Sequence, residues 1–357
     1  MSGREVRTAG PRQASDEGYG DVRGLRTSLV FALLSALVLL AFVANLLVGS
    51  VALEPRQILS ILAGATDDQM AYQVIWSIRL PRICAAALLG GALGLSGMLL
   101  QTLFANPIAG PYVLGISNGA KLAVALVMVV IVGDLQAMST WMQLAAAFVG
   151  SFAVMAFVLA VSRRVSSSSV LVVVGVMVGY VCNAVTDVLI TFASDANIVN
   201  LRNWSLGSFS GTSGSQVLAM AVVVLTAFAL TYLLAKPLGI YQLGETYAES
   251  MGVDVRTFRL VVIVLASVLA ASVTAFAGPI SFVGVAVPHV ARHLLGTSRP
   301  QLVIPASFLS GSLVCLVCDL VARAAFAPVE LPVSTVTALF GAPVVIWVLL
   351  SRHERVS

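Results

Sequence analysis

The sequence predicts an all-α, polytopic membrane protein of about ten transmembrane helices. Three observations predict it. Hydrophobic residues make up 59% of the 357 and charged residues only 10%, with a mean hydropathy of +0.99, whereas soluble domains carry about 25% charged residues. The apolar residues come in runs of roughly 20, the length that crosses about 30 Å of hydrocarbon. The charges collect at the ends of those runs. So few charges cannot solvate a chain of this size in water, so the bilayer must be its solvent. Length alone could accommodate two domains, but a bundle with short loops fits better as one.

Residues 1–27 are polar and rich in Arg, Gly and Ser, which predicts a disordered tail on the cytoplasmic side. The first apolar run, Ser28 to Val48, exceeds the about 7–15 residues of a signal peptide core and reads as a retained first span. An outer loop over 49–78 follows, with a surface helix near Pro55 to Leu62. Span two covers Pro81 to Phe104 and carries Gly90, Gly91, Gly94, Ser96 and Gly97, small residues that let helices approach backbone to backbone. Asn106-Pro107 and Gly110-Pro111 break it.

Spans three to six follow at Tyr112 to Val132, Thr140 to Val161, Ser169 to Phe192 and Ser215 to Ala235. The stretch 194–211 is too polar to span. An inner segment over 237–259 precedes span seven, Leu260 to Ala277. Span eight, Ser281 to Leu295, is short for a crossing. Spans nine and ten are Leu302 to Val321 and Val333 to Leu350, and residues 352–357 form a basic tail. The apolar body is therefore one domain, 28–351. With both termini inside, fourteen of the 20 Lys and Arg fall on the inner side and five outside, with Lys121 in a span. That asymmetry agrees with the loop-charge rule. The basic residues form no stripe with interleaved aromatics, which argues against a nucleic-acid partner.

Several motifs stand out. RLPR (79–82), the SGxxxQ within span two and NPxAxPxxLGxSxGA (106–120) form a long ordered signature. It resembles the permease family that imports iron siderophores, haem and vitamin B12 in bacteria. The resemblance implies a type II ATP-binding-cassette importer fold, working in the inner membrane as a homodimer with the path on its two-fold axis. It implies cytoplasmic ATPase subunits and an extracytoplasmic substrate-binding protein as partners, and no cofactor. It implies a ferric siderophore as substrate, with haem or a cobamide as the alternative. Ala109-Gly110-Pro111 before span three echoes Ala277-Gly278-Pro279 before span eight, as inverted repeats would.

The chain has no P-loop. That motif needs GK[ST] to hold phosphates, and both lysines, Lys121 and Lys236, follow alanine. ATP hydrolysis must come from a separate subunit. Residues 243–252, LGETYAESMG, predict a two-turn helix between glycines, with Leu243, Tyr247 and Met251 on one apolar face. Glu245 suits the positive helix N-terminus and Glu249 takes another face. The segment is similar to the family's coupling helix, LGExxAxxLGV. This assigns Leu243, Gly244, Glu245, Tyr247, Ala248, Glu249, Met251 and Gly252 to ATPase docking; without the resemblance an interfacial loop helix fits equally.

Arg79 and Arg82 flank span two and by default are interface anchors. In the family's vitamin B12 members, arginines here and near the end of span nine pair with glutamates of the binding protein. The resemblance carries that role to Arg79, Arg82 and Arg323, as exposed pairs that steer a charged partner. Asp319, four residues before Arg323, is placed to hold its side chain. Asp187 lies deep in span five, and an intramembrane charge is a functional candidate by default. With Asn183, Thr186 and Thr191 it predicts a polar stripe along the translocation path, which the family lines with spans five and ten; a packing carboxylate is the plainer alternative. Lys121 near the end of span three snorkels.

Cys315 and Cys318 form a C-x-x-C inside an apolar run and read as packing residues. His289 and His293 have metal-compatible spacing, but Val290 stands where a zinc-protease motif needs Glu. No nucleophile–base pair suggests an enzyme. Outside the family, the other mechanism open to this sequence is an ion-coupled carrier using Asp187 and Lys121.

Overall fold

The computed structural model describes residues 13–49, 53–65, 68–132, 138–165, 168–327 and 329–353. Its helices are α1 (Gln13–Leu47), α2 (Pro55–Leu62), α3 (Gln69–Gln73), α4 (Leu80–Leu103), α5 (Ile116–Leu126), α6 (Thr140–Ser162), α7 (Ser168–Thr191), α8 (Asp195–Ser205), α9 (Gly214–Leu233), α10 (Ala235–Tyr241), α11 (Glu245–Ser250), α12 (Val255–Ala277), α13 (Val283–Leu295), α14 (Pro300–Ala324) and α15 (Val333–His353). Among the described residues, 7 helical segments are long and apolar enough to cross a membrane. Two shorter apolar stretches, Ile116–Val130 and Val333–Ile346, and the short α13 bring the bundle to the expected ten.

The bundle is built around α4. Pro81 opens it without forfeiting a needed N–H, and every residue from Leu89 to Leu103 is buried. Its glycines are the reason. A Cβ on Gly90 would sit 2.4 Å from the Gly311 carbonyl of α14, and one on Gly94 2.3 Å from the Ser307 carbonyl. A Cβ on Gly97 would come within 1.7 Å of the Gly284 carbonyl of α13. Pro288 lacks the N–H that would have engaged that Gly284 carbonyl inside its own helix, so the freed carbonyl points at α4. Hydroxyls then pin the neighbours: Ser96 donates to Ala266 O of α12 at 2.8 Å and Ser312 of α14 to Ala87 O at 2.7 Å. In hydrocarbon such close packing and buried hydrogen bonds replace the hydrophobic drive available in water.

Three expected boundaries move. The third span does not run on from Tyr112: a 3-10 turn, Pro111–Leu114, ends at Gly115 with φ 71°, and α5 starts beyond it, continuing as a π-helix over Val127–Val132. Only a glycine holds that left-handed φ without strain, and a Cβ there would also meet the Gly175 carbonyl of α7 at 2.7 Å. The span after Gly278 starts later than Ser281. Gly278 (φ 74°) and Phe282 (φ 65°) turn the chain, leaving α13 with 13 residues, about 20 Å of rise. At the N-terminus, α1 begins at Gln13, so residues 13–27, expected in a disordered tail, are helical; the proline that would interrupt a helix, Pro11, lies before it. Residues 1–12 and 354–357 lie outside the described residues.

The surface helix expected near Pro55 to Leu62 is α2, closed by a Glu54–Gln57 capping box. Arg26 reaches from α1 to the end of α13, its Nε donating to Leu294 O (3.1 Å) and its Nη2 to His293 O (3.0 Å), a cation at a helix C-terminus.

Candidate functional sites at the two ends and the flank of the bundle

The RLPR segment opens α4, and its arginines turn inward. Arg82 is 6% exposed; its Nε donates to both Asp319 oxygens, at 3.0 and 3.2 Å, and its Nη1 to Glu330 at 3.0 Å and to Ser210 Oγ at 2.7 Å. Arg323 lies 3.3 Å from Asp319 and donates through Nη2 to Asn45 Oδ1 at 2.5 Å. Arg79, 3% exposed, donates to Leu46 O at 2.5 Å. Asp319 is wholly buried between Arg82 and Arg323. The expectation of exposed arginines is therefore corrected: a buried carboxylate draws in Arg82 and Arg323, since an ion in a low-dielectric interior must be paired, and Arg79 turns to the Leu46 carbonyl. Arg79 and Arg323 also cap the last carbonyls of α1, groups a helix end otherwise leaves unserved. The cluster holds three arginines against Asp319 and Glu330, an excess of positive charge. Glu330, Ser210 and Asn45 escaped sequence reasoning because they lie far along the chain.

At the opposite end of α4, about 36 Å away along its axis, stands α11. Gly244 (φ 118°) and Gly252 (φ 84°) flank it in conformations only glycine adopts readily. Leu243, Tyr247 and Met251 are 68%, 48% and 57% exposed, and Ala248 is buried. Glu249 is exposed. Glu245 turns back into the protein: Tyr241 Oη donates to it at 2.6 Å and the Arg259 guanidinium pairs with it. Partial burial pushes the Glu245 carboxyl up, but the hydrogen bonds from Tyr241 and Arg259 and the Arg259 charge outweigh this and hold it below its ordinary value. Burial, then the Glu245 contact, pushes the Tyr241 phenol up, so it stays protonated. Asp254 caps α12, accepting from Thr257 Oγ1 at 2.6 Å and from the Arg256 and Thr257 amides. Between residues 101–107 and 241–245 lies a cavity of about 650 Å³, reached also by Arg292. Tyr241 is four positions from Glu245, but the pairing crosses the Gly244 turn between α10 and α11, so helical periodicity does not give it; Arg259, fourteen positions on, is not local either.

On the flank, α7 presents Asn183, Asp187 and Thr191 at i, i+4 and i+8. Asp187 and Thr191 are exposed and Asn183 half-buried, among exposed Tyr180, Val181 and Val188. Thr191 Oγ1 donates to Asp187 O at 3.0 Å. Thr186 does not belong to this stripe. It lies about 100° around the helix from Asp187, is fully buried, and donates to Cys182 O at 2.8 Å. Lys121 is half-buried.

The remaining motifs lie on α4, α7, α13 and α14. His289 lies 2.7 Å from Pro107 O, and among the described residues no three metal-ligating side chains converge. Cys84, Cys182, Cys315 and Cys318 are free thiols, the last two buried in α14.

A helical bundle with a glycine-packed central helix, a short helix beside it and an exposed helical turn at one end is the architecture of a polytopic membrane protein. The FecCD transport family model matches residues 37–351, and the chain belongs to that family. It is 35% identical over 321 residues to the vitamin B12 import system permease protein BtuC of Citrobacter koseri, covering 90% of this chain and 94% of that protein. It is 34% identical over 293 residues to the hemin transport system permease protein HmuU of Yersinia pestis, covering 82% and 87%. A solved structure described as an inward-facing metal-chelate type ABC transporter matches with a TM-score of 0.80 and 28% identity, over 91% of this chain and 99% of its own. The chain is the permease of an ABC importer with the type II fold, a multi-pass membrane subunit.

Proposed function

We propose that this permease imports a metal chelate across the bacterial inner membrane, paired with a second copy of itself or a close paralogue. Ferric siderophores are the first substrate class. Haem and cobalamin are the second, favoured by the hemin and vitamin B12 permeases it is similar to. Residues 28–351 act as one transport domain, with both termini cytoplasmic.

The observation that carries this proposal is α11. Its apolar side chains Leu243, Tyr247 and Met251 stand exposed on a short turn held between two glycines, the form of a knob that docks into a cleft of an ATPase subunit. At the other end, the positive excess around Arg82 and Arg323 suits an acidic patch on a substrate-binding protein, with its pull mostly on association rate. The Asn183, Asp187 and Thr191 stripe suits a wall of the path between two copies, because a carboxylate facing lipid is expensive.

The test is ATP hydrolysis in proteoliposomes by the chain assembled with its ATPase and binding protein. Ferric siderophores, haemin and cobalamin are offered in turn. Stimulation by one of them, lost when residues 245–251 are scrambled, supports docking and identifies the substrate. A chain that binds no ATPase subunit refutes the docking role of α11.

A further inference from the structure

The bonds around Glu245 join three helices through one side chain. Helix α11 has six residues, too short to hold itself, and its flanking glycines both have positive φ. It is tied inward by buried Ala248 and by Glu245. Tyr241, in α10, is 5% exposed, with its ring centred 4.9 Å from that of Phe258 in α12. Its hydroxyl lies 2.6 Å from Glu245 Oε1 and 3.3 Å from Leu103 O, at the end of α4. A phenol has one proton, and the charged acceptor at the shorter distance takes the larger share of it.

The end of α4 is prepared for such a tie. The carbonyls of Leu100, Gln101 and Thr102 accept from the amides of Phe104, Asn106 and Ala105, and Tyr241 serves that of Leu103. Two residues back, Gln101 Nε2 donates to Val285 O (2.9 Å) and Gln101 Oε1 accepts from Arg292 (2.9 Å), both on α13. The 650 Å³ cavity between residues 101–107 and 241–245 gives the joint room to move.

We propose that Tyr241 is the positioning residue that transmits motion of α11 to α4, its one proton shared between the Glu245 carboxylate and the Leu103 carbonyl. Through Gln101 the displacement passes to α13. The proposal rests on α11 being the ATPase-docking element. Drawing Glu245 outward carries the phenol with it, and through the phenol the Leu103 carbonyl and the end of α4; returning it restores the resting positions. The phenol keeps its proton and Glu245 its charge throughout, as their opposite pKa displacements favour.

The test uses the chain assembled with its ATPase subunits in nanodiscs, with half-buried Cys84 replaced by alanine and spin labels on Ile108→Cys and Ser250→Cys. In the parent, the distance between the labels stays the same without nucleotide and with ATP, because α11 and the end of α4 move together. In Tyr241→Phe the ATPase stays bound and ATP moves the distance by on the order of one helical turn, about 5 Å. Tyr241→Met, apolar and without a hydroxyl, gives the same uncoupling and decides the matter should Tyr241→Phe fail to accumulate. Variants that track the parent in both states overturn the relay while leaving docking intact. A parent that binds no ATPase overturns the docking proposal, and the relay with it.

Discussion

Helices α4 and α7 are each 24 residues long and strongly apolar, yet they occupy opposite situations. In the segment containing α4, 83% of the most apolar 18 residues are buried inside the chain; in α7 the share is 22%. Hydrophobicity does not separate them. Glycine and polar spacing do. Helix α4 removes side chains where α13 and α14 must touch its backbone, whereas α7 keeps bulky Val, Met and Tyr outward and places Asn183, Asp187 and Thr191 in one row. In a bilayer the buried helix is the one with the small face, not the one with the most apolar face.

The largest effect should come from filling that small face. Gly97→Ala puts a methyl 1.7 Å from the Gly284 carbonyl and should destabilise far beyond the ~1–3 kcal/mol of ordinary overpacking, and by more than the ~3–5 kcal/mol of a stranded buried charge. Monodisperse detergent-solubilised protein should be largely lost, while Ala184→Leu on the exposed side of α7 leaves the yield unchanged. Equal yields would erase the contrast between the helices.

Next in size is Asp319→Ala. It strands Arg82 and Arg323 without their buried counter-charge, which costs about 3–5 kcal/mol and should lower the thermal inactivation temperature sharply. Glu330→Gln removes a partner that is 45% exposed and should cost under about 1 kcal/mol. A Glu330 effect as large as that of Asp319 would show that the loop, not α14, anchors the cluster.

Asp187→Ala sharpens the comparison from the other side. It should leave stability within ~0.5 kcal/mol and lower ATP-driven uptake in proteoliposomes. Lost stability would mean α7 is packed around that carboxylate after all.

The smallest effect is a pH dependence at α11. Glu245 has its folded pKa below the ordinary 4.5, so its contribution is present above that value and fades as pH falls through the lower folded pKa. The carboxylate is partly exposed, so the contribution is under about 1 kcal/mol. The melting-temperature gap between the parent and Glu245→Gln should therefore be widest near neutral pH and close on acidification.

Much of this was legible in local sequence. The α2 turn and the glycine-bounded α11 depend on neighbours within a few residues; the glycines of α4 show as a row of small residues, although their partners on α13 and α14 do not. The inward turn of Arg82 was not legible, because its partners Asp319 and Glu330 lie 237 and 248 positions away. The Thr186 error is of another kind: a helical wheel separates it from Asp187, and polarity alone had grouped them. The start of α5 was hidden because Pro111 and Gly115 sit in an otherwise continuous apolar run.

The crowding around Gly90, Gly94, Gly97, Gly284 and Gly311 also has a genetic consequence. Every glycine codon begins with two guanines, and a base change at either one installs a side chain or a stop. No single missense step at these codons is therefore sterically neutral, while the outward apolar positions of α7, Val173, Met177, Val181 and Val188, can exchange among apolar codons. Selection for a new cargo should collect its surviving substitutions on the outer helices and leave the axis of the bundle untouched.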